Sequence, residues 1–155
     1  MRAKLMRTTG LGWFSMALAL LACAELCAQA AEMKFQAFLL WGTDDAKPPE
    51  GKAYKPAPPD VMQKLKELPL KWKHWFEVNR KDFAVPQGET REVPMSEKCR
   101  LKVTNINGTD VEVSLIGKGK EVVKRTQSLP GKDMLVLGGN APNSTAWLVV
   151  LKRTE

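Results

Sequence analysis

The chain reads as all-β with mainly antiparallel strands, on three observations. About seven or eight short apolar or alternating runs follow one another through residues 31 to 155. Turn sequences separate them at regular intervals, among them Pro86-Gln87-Gly88, Asn107-Gly108, Gly117-Lys118-Gly119 and Pro130-Gly131. Helical spacing occurs in one short stretch only, residues 60 to 68. The expected form is a sandwich of two packed sheets, immunoglobulin-like in type, with a small β-barrel as the alternative. The paired cysteines of antibody domains are absent, so that comparison concerns shape alone.

The first thirty residues predict where the protein works. Arg2, Lys4 and Arg7 precede 17 uncharged residues, 8 to 24, and Ala28-Gln29-Ala30 fits the small-x-small rule for signal cleavage. The run starts with Thr8-Thr9-Gly10 and stops at Glu25, short of the roughly 20 apolar residues of a spanning helix. A cleaved signal over residues 1 to 30 leaves one β-rich domain, residues 31 to 155, secreted or periplasmic and without an integral membrane segment. The alternative is a lipoprotein anchored through Cys23, although Leu21 fits poorly in the Leu20-Leu21-Ala22 segment before it. Cys23 and Cys27 fall within the signal, so the cleaved chain keeps Cys99 alone and no internal disulfide. Cys99 alternates with Leu101 and Val103, which places it toward the core as a small hydrophobe.

The elements follow in order. Residues 34 to 41 form a largely apolar first strand, stopped by Gly42-Thr43-Asp44-Asp45. Residues 46 to 59 hold five of the ten prolines and read as an extended surface crossing. Pro59-Asp60 opens a helix to Leu68, with Val61, Leu65 and Leu68 on one face and Pro69 ending it. From Leu70 the period becomes two, with Leu70, Trp72, His74, Phe76 and Val78 on one side and Lys71, Lys73, Trp75 and Glu77 on the other. A further fragment, residues 83 to 85, ends at Pro86, and residues 90 to 95 form an edge strand because Pro94 lacks a ladder donor.

Residues 98 to 116 form the clearest hairpin. Pairing Val103 with Val111 sets Asn105 opposite Thr109 across the loop Ile106-Asn107-Gly108, and puts Cys99, Leu101, Val103, Val111, Val113 and Leu115 on one face. A second reversal at Gly117-Lys118-Gly119 leads into residues 121 to 127. Leu129-Pro130-Gly131-Lys132 fits a type II turn with Gly131 at the positive-φ position. Residues 134 to 137 and 146 to 151 complete the set. The last run, Ala146-Trp147-Leu148-Val149-Val150-Leu151, does not alternate and is expected to be covered on both faces or to lie centrally.

Charge is localised. Residues 31 to 155 carry 21 basic and 16 acidic side chains, a net of +5, and residues 47 to 81 alone carry nine basic and four acidic, also +5. Such a region suits either a solvated surface or an acidic partner. Within it, Lys71-Trp72-Lys73-His74-Trp75-Phe76 interleaves cations with aromatics, and Lys71, Lys73 and Trp75 would share a strand face as a small polyanion platform. The competing arrangement buries Trp72 and Phe76 and packs the helix over Trp75. Lys118, Lys120, Lys124 and Arg125 form a second basic group at a hairpin tip that could touch an anion.

The inventory argues against an enzyme. His74 is the one histidine, beside Trp72 and Phe76, and no serine lies in a nucleophile-elbow context. Nothing around Cys99 resembles a reactive thiol site. Zinc would want clustered histidine and cysteine, Asp44-Asp45 lacks a calcium-loop pattern, and Gly117-Lys118-Gly119-Lys120 lacks the spacing of a phosphate loop. No catalytic residue, metal site or cofactor is expected. Asn107-Gly108-Thr109 and Asn143-Ser144-Thr145 fit the glycosylation pattern but are also good turns. The function expected is a non-enzymatic binding or accessory module whose partner is another envelope or extracellular protein. Binding of an acidic polymer, a charged glycan or nucleic acid, through the basic and aromatic face at 47 to 81 is the alternative.

Overall fold

The computed structural model describes residues 31–141 and 145–155. The expected signal with Cys23 and Cys27, and Asn143 of the second glycosylation pattern, lie outside the described residues. The chain runs β1 (Met33–Thr43), β2 (Lys55–Pro56), α1 (Pro59–Lys66), β3 (His74–Val85), β4 (Thr90–Ser96), β5 (Cys99–Asn105), β6 (Asp110–Gly117), β7 (Lys120–Ser128), β8 (Met134–Asn140) and β9 (Ala146–Arg153). Two sheets form, both antiparallel: a five-stranded sheet in the order β2-β3-β1-β9-β8 and a four-stranded sheet in the order β4-β5-β6-β7. The all-β sandwich is what the sequence predicts. The smaller sheet is a plain meander rather than the interleaved strand order of an immunoglobulin domain, and the two separate sheets leave no closed barrel.

Alternation along β1 and β9 explains why the larger sheet carries a core on each face. Met33, Phe35, Ala37 and Leu39 of β1, with Val149 and Leu151 of β9, enter the core between the sheets beside Leu101, Val103, Val111 and Val113. Phe38 and Leu40, with Ala146, Leu148 and Val150, enter a second core on the opposite face, beneath α1. The non-alternating run at 146 to 151 is therefore covered on both sides, as its composition requires.

The helix is the lid of that second core. Pro59 lies in its first turn, where a missing N–H costs nothing, and Val61 and Leu65 are buried one turn apart. Asp60 accepts a hydrogen bond from Lys152 on β9, which holds its carboxyl below the usual carboxylate range and ties the helix to the sheet. Gly42 is required here. A Cβ on it would lie 2.4 Å from the Trp75 ring, so the indole rests directly on the β1 backbone.

Three local expectations need correction. The strand expected from Leu70 begins at His74 and continues unbroken to Val85, absorbing the separate fragment at 83 to 85. Leu70 and Trp72 instead lie in the crossover after Pro69 and pack into the helix-side core. The 98 to 116 hairpin keeps its expected face but pairs two residues further along: Val103 opposes Val113 and Asn105 opposes Val111. The wider loop is fixed by asparagines. Asn107 Oδ1 accepts from the backbone N–H groups of Thr109 and Asp110, and Asn105 Oδ1 accepts from that of Gly108. Finally, the turn before β8 closes from Asp133 N–H to the Pro130 carbonyl, and Lys132, with φ 66°, takes the left-handed position expected of Gly131.

The edge strands are protected in different ways. Pro94 sits on β4, an edge as expected, where no ladder bond is lost. β2 is two residues long and contains Pro56. β7 carries lysine and arginine and a register shift opposite Leu115 and Ile116.

Candidate functional site

The two ends of the sandwich differ. At one end Asn105, fully buried, donates from Nδ2 to the carbonyls of Ala31 and Val85 and thereby joins the two sheets. At the other end the five-stranded sheet outruns its partner. β1 has 11 residues, about 36 Å long, against seven residues, about 23 Å, for β5. Asn79, opposite Leu39, still reaches across to the Met95 carbonyl at 2.8 Å, and Trp41 lies two residues beyond that level.

There a single cross-strand row spans the sheet. Pro56 of β2 opposes Phe76 of β3, Phe76 opposes Trp41 of β1, Trp41 opposes Trp147 of β9, and Trp147 opposes Gly139 of β8. Directly paired residues share a face, so Phe76, Trp41 and Trp147 all project on the side the second sheet leaves open. The Trp41 ring lies 6.0 Å from Phe76, tilted by 31°, and 6.4 Å from Tyr54, tilted by 59°. Burial is graded along the row: Phe76 is 6% exposed, Trp41 is half-buried and Trp147 is 41% exposed. Trp41 also forms one wall of an open cleft of about 700 Å³ with Asp45, Ala46, Lys47, Pro48 and Pro49. Its charged groups, Asp45 and Lys47, are of opposite sign.

The residues singled out from the sequence fare unevenly. Lys71 and Lys73 are exposed, but Trp75 is buried at 4% in the helix-side core and does not join them on a platform. Its ring meets Trp72, also buried, edge-on at 6.0 Å, so the competing arrangement, with the helix over Trp75, is the one that forms. Lys71 Nζ sits 4.9 Å from the Trp72 ring centre. The surrounding charge is partly paired. Arg80 donates to Glu77 at 2.7 and 3.1 Å, which raises its pKa, and stacks on Phe38.

The second basic group is divided. Lys118 and Lys120 are exposed at the tip, Lys124 pairs with Glu112 at 3.0 Å, and Arg125, one residue on, points to the other face opposite Val113. The Glu112 carboxylate raises the Lys124 pKa. Lys118 and Gly119 both have positive φ, the geometry of a two-residue type I′ hairpin loop, and Gly117 pairs with Lys120 around it. Cys99 is half-buried against the central core, and burial pushes its thiol pKa up. Among the described residues no group of three or more metal-ligating side chains occurs, and no helix is long and apolar enough to cross a membrane.

Trp41, Tyr54, Phe76 and Trp147 come from four distant segments, and no local spacing links them. The usable signal is a tryptophan in each of two strands that otherwise read as core, together with a tyrosine isolated among prolines. No family model, curated protein or solved structure matches the chain.

Proposed function

We propose that the protein is an exported, non-enzymatic binding module that works through protein–protein contacts in the cell envelope or outside the cell, at the aromatic row that ends on the exposed Trp147. The observation that carries this reading is the exposure of Trp147 beside Trp41 in one cross-strand row beyond the reach of the second sheet. Large aromatics gain most from burial, and an exposed Trp147 beside a half-buried Trp41 at a sheet end supplies the kind of anchor that protein interfaces favour. A strand scaffold fixes such anchors before a partner arrives, which lowers the ordering cost of binding. Polyanion binding is the second reading and rests on the exposed Lys71 and Lys73, without Trp75.

Salt and one substitution separate the two. Immobilised chain exposed to the exported fraction of its own cell is expected to retain a discrete protein at both low and high salt, and the Trp147→Ala chain to lose it. Apolar contact survives high ionic strength, whereas polyanion affinity collapses through counterion release. Retention of an acidic polymer at low salt only, unchanged in Trp147→Ala and abolished by Lys71→Glu with Lys73→Glu, would overturn the proposal.

A further inference from the structure

We infer that the protein pairs with a second copy of itself along β8, the free edge of the larger sheet, so that two five-stranded sheets run on as one of ten strands. This surface is separate from the aromatic row. Among the described residues every other edge of the sandwich carries a block. Pro94 and a register shift interrupt β4, Pro56 ends the two residues of β2, and the part of β3 that β2 leaves unpaired holds Arg80, Lys81 and Asp82. β7 has its lysines, an arginine and a register shift. β8, by contrast, reads Met134-Leu135-Val136-Leu137-Gly138-Gly139-Asn140, with no charge and no proline, and its ladder to β9 runs from Met134 to Asn140 without a shift. A straight, uncharged edge is a template for another strand.

The backbone sets what can sit there. The Asp133 carbonyl accepts from the Arg153 N–H of β9, and backbone groups alternate in direction along an antiparallel strand. Leu135 and Leu137 therefore turn theirs to β9, while Met134, Val136 and Gly138 turn theirs outward, where the sheet order ends. The Met134 N–H settles on the carboxylate of its own neighbour, Asp133, at 2.8 Å. Donors and acceptors at strand spacing are met by an extended chain that keeps its N–H groups, which a glycan, a nucleic acid or a polyproline segment does not offer.

The side chains select a second β8. About a twofold axis through Val136, Val136 opposes itself, Leu135 opposes Leu137, and Met134 opposes Gly138. The outward-facing residues then meet one another directly, so the unpaired groups of both edges are satisfied together. Gly138 is required by its own sheet, since a Cβ on it would lie 2.3 Å from the Trp147 carbonyl oxygen. It leaves a gap on the helix side of the edge. The half-buried Met134 of the second copy lies opposite that gap, and the two half-buried Val136 side chains cover each other. In this register Asp133 opposes Gly139 and Lys132 opposes Asn140, so no like charges meet. Moving the axis to Leu135 would instead set Asp133 opposite the buried Leu137.

Sedimentation velocity of the protein purified from the cell that makes it, over a dilution series, is expected to show a monomer–dimer equilibrium with Kd below about 100 µM. Amide hydrogen exchange identifies the strand. Protection of the Val136 and Gly138 N–H groups is expected to rise with protein concentration, while that of Leu135 and Leu137, already bonded to β9, stays constant. Val136→Pro removes an outward donor and no bond to β9, and is expected to weaken the dimer at least tenfold. Val136→Lys, which sets like charges on the axis, is expected to do the same and reads the prediction should proline disturb the fold. Val122→Lys on β7 is expected to leave the dimer intact. A monomer at about 1 mM, a dimer that survives both Val136 substitutions, one lost equally with Val122→Lys, or protection of Val136 that appears only when a different protein is added would overturn the inference.

Discussion

The closed and open ends of the sandwich solve opposite problems with the same sheet. At the closed end one buried asparagine satisfies two carbonyls and a backbone N–H, and the chain spends a polar side chain to lock the sheets together. At the open end the longer sheet continues past its partner and presents Trp147 to solvent beside a half-buried Trp41. The difference teaches that coverage, not residue type, decides whether an aromatic is part of a core or is left on the surface. Trp75 and Trp147 make the point within one sheet. Trp75 faces the helix and is 4% exposed; Trp147 faces the uncovered side and is 41% exposed.

The largest expected effect sharpens that contrast. Trp75→Ala is expected to destabilise the fold by about 3 to 5 kcal/mol, since the indole packs against Gly42, Trp72 and the helix. Trp147→Ala is expected to cost under about 1 kcal/mol while removing binding. Urea denaturation of the two variants measures both, and equal losses would erase the distinction between core and surface tryptophans.

Asn105→Ala comes next, at about 1 to 3 kcal/mol, because it strands the buried Val85 carbonyl and removes the partner of the part-buried Ala31 carbonyl and Gly108 N–H. Chemical denaturation should show this loss with no change in capture of a partner at the opposite end. A variant that lost binding as well would mean the two ends are coupled.

Smaller changes probe the margins. Lys118→Asn is expected to stabilise the fold by several tenths of a kcal/mol, because asparagine tolerates the left-handed conformation that the loop imposes on lysine. An unchanged midpoint in thermal melting would argue against strain at that tip.

The least effect is expected at the helix latch. Asp60→Asn should cost about 0.5 kcal/mol at neutral pH, since the Asp60–Lys152 pair is solvent-screened. The Asp60 carboxyl is held below its unfolded value of about 3.9, so its contribution is complete above that pH and fades as pH falls through the lower folded value. Wild type and variant should therefore differ at pH 7 and converge in acid, as denaturation midpoints at several pH values will show.

Much of the fold is legible in the sequence because period and punctuation are local. The helix at Pro59, the edge position of Pro94 and the two-sided burial at 146 to 151 each follow from a few neighbouring residues. The errors arise where a distant partner decides. Alternation from Leu70 to Val78 suits a strand, yet the helix-side core draws Leu70 and Trp72 out of the sheet. The hairpin register satisfies the same face at two offsets, and the asparagine contacts choose between them. The candidate site is the least legible part. Basic flanks mark Trp75 in the sequence, whereas the exposure of Trp147 depends on how far one sheet overhangs the other, and strand pattern alone does not encode that length difference.

The most direct measurement places a benzophenone-bearing residue at position 46, exposed in the cleft beside Trp41, or at position 71 or 124 for comparison, with Trp147 intact, in the cell that makes the protein, and identifies what is crosslinked. The account predicts a discrete protein adduct from position 46 and none from the two lysine positions. Adducts to an acidic polymer from positions 71 or 124, with position 46 silent, would contradict it.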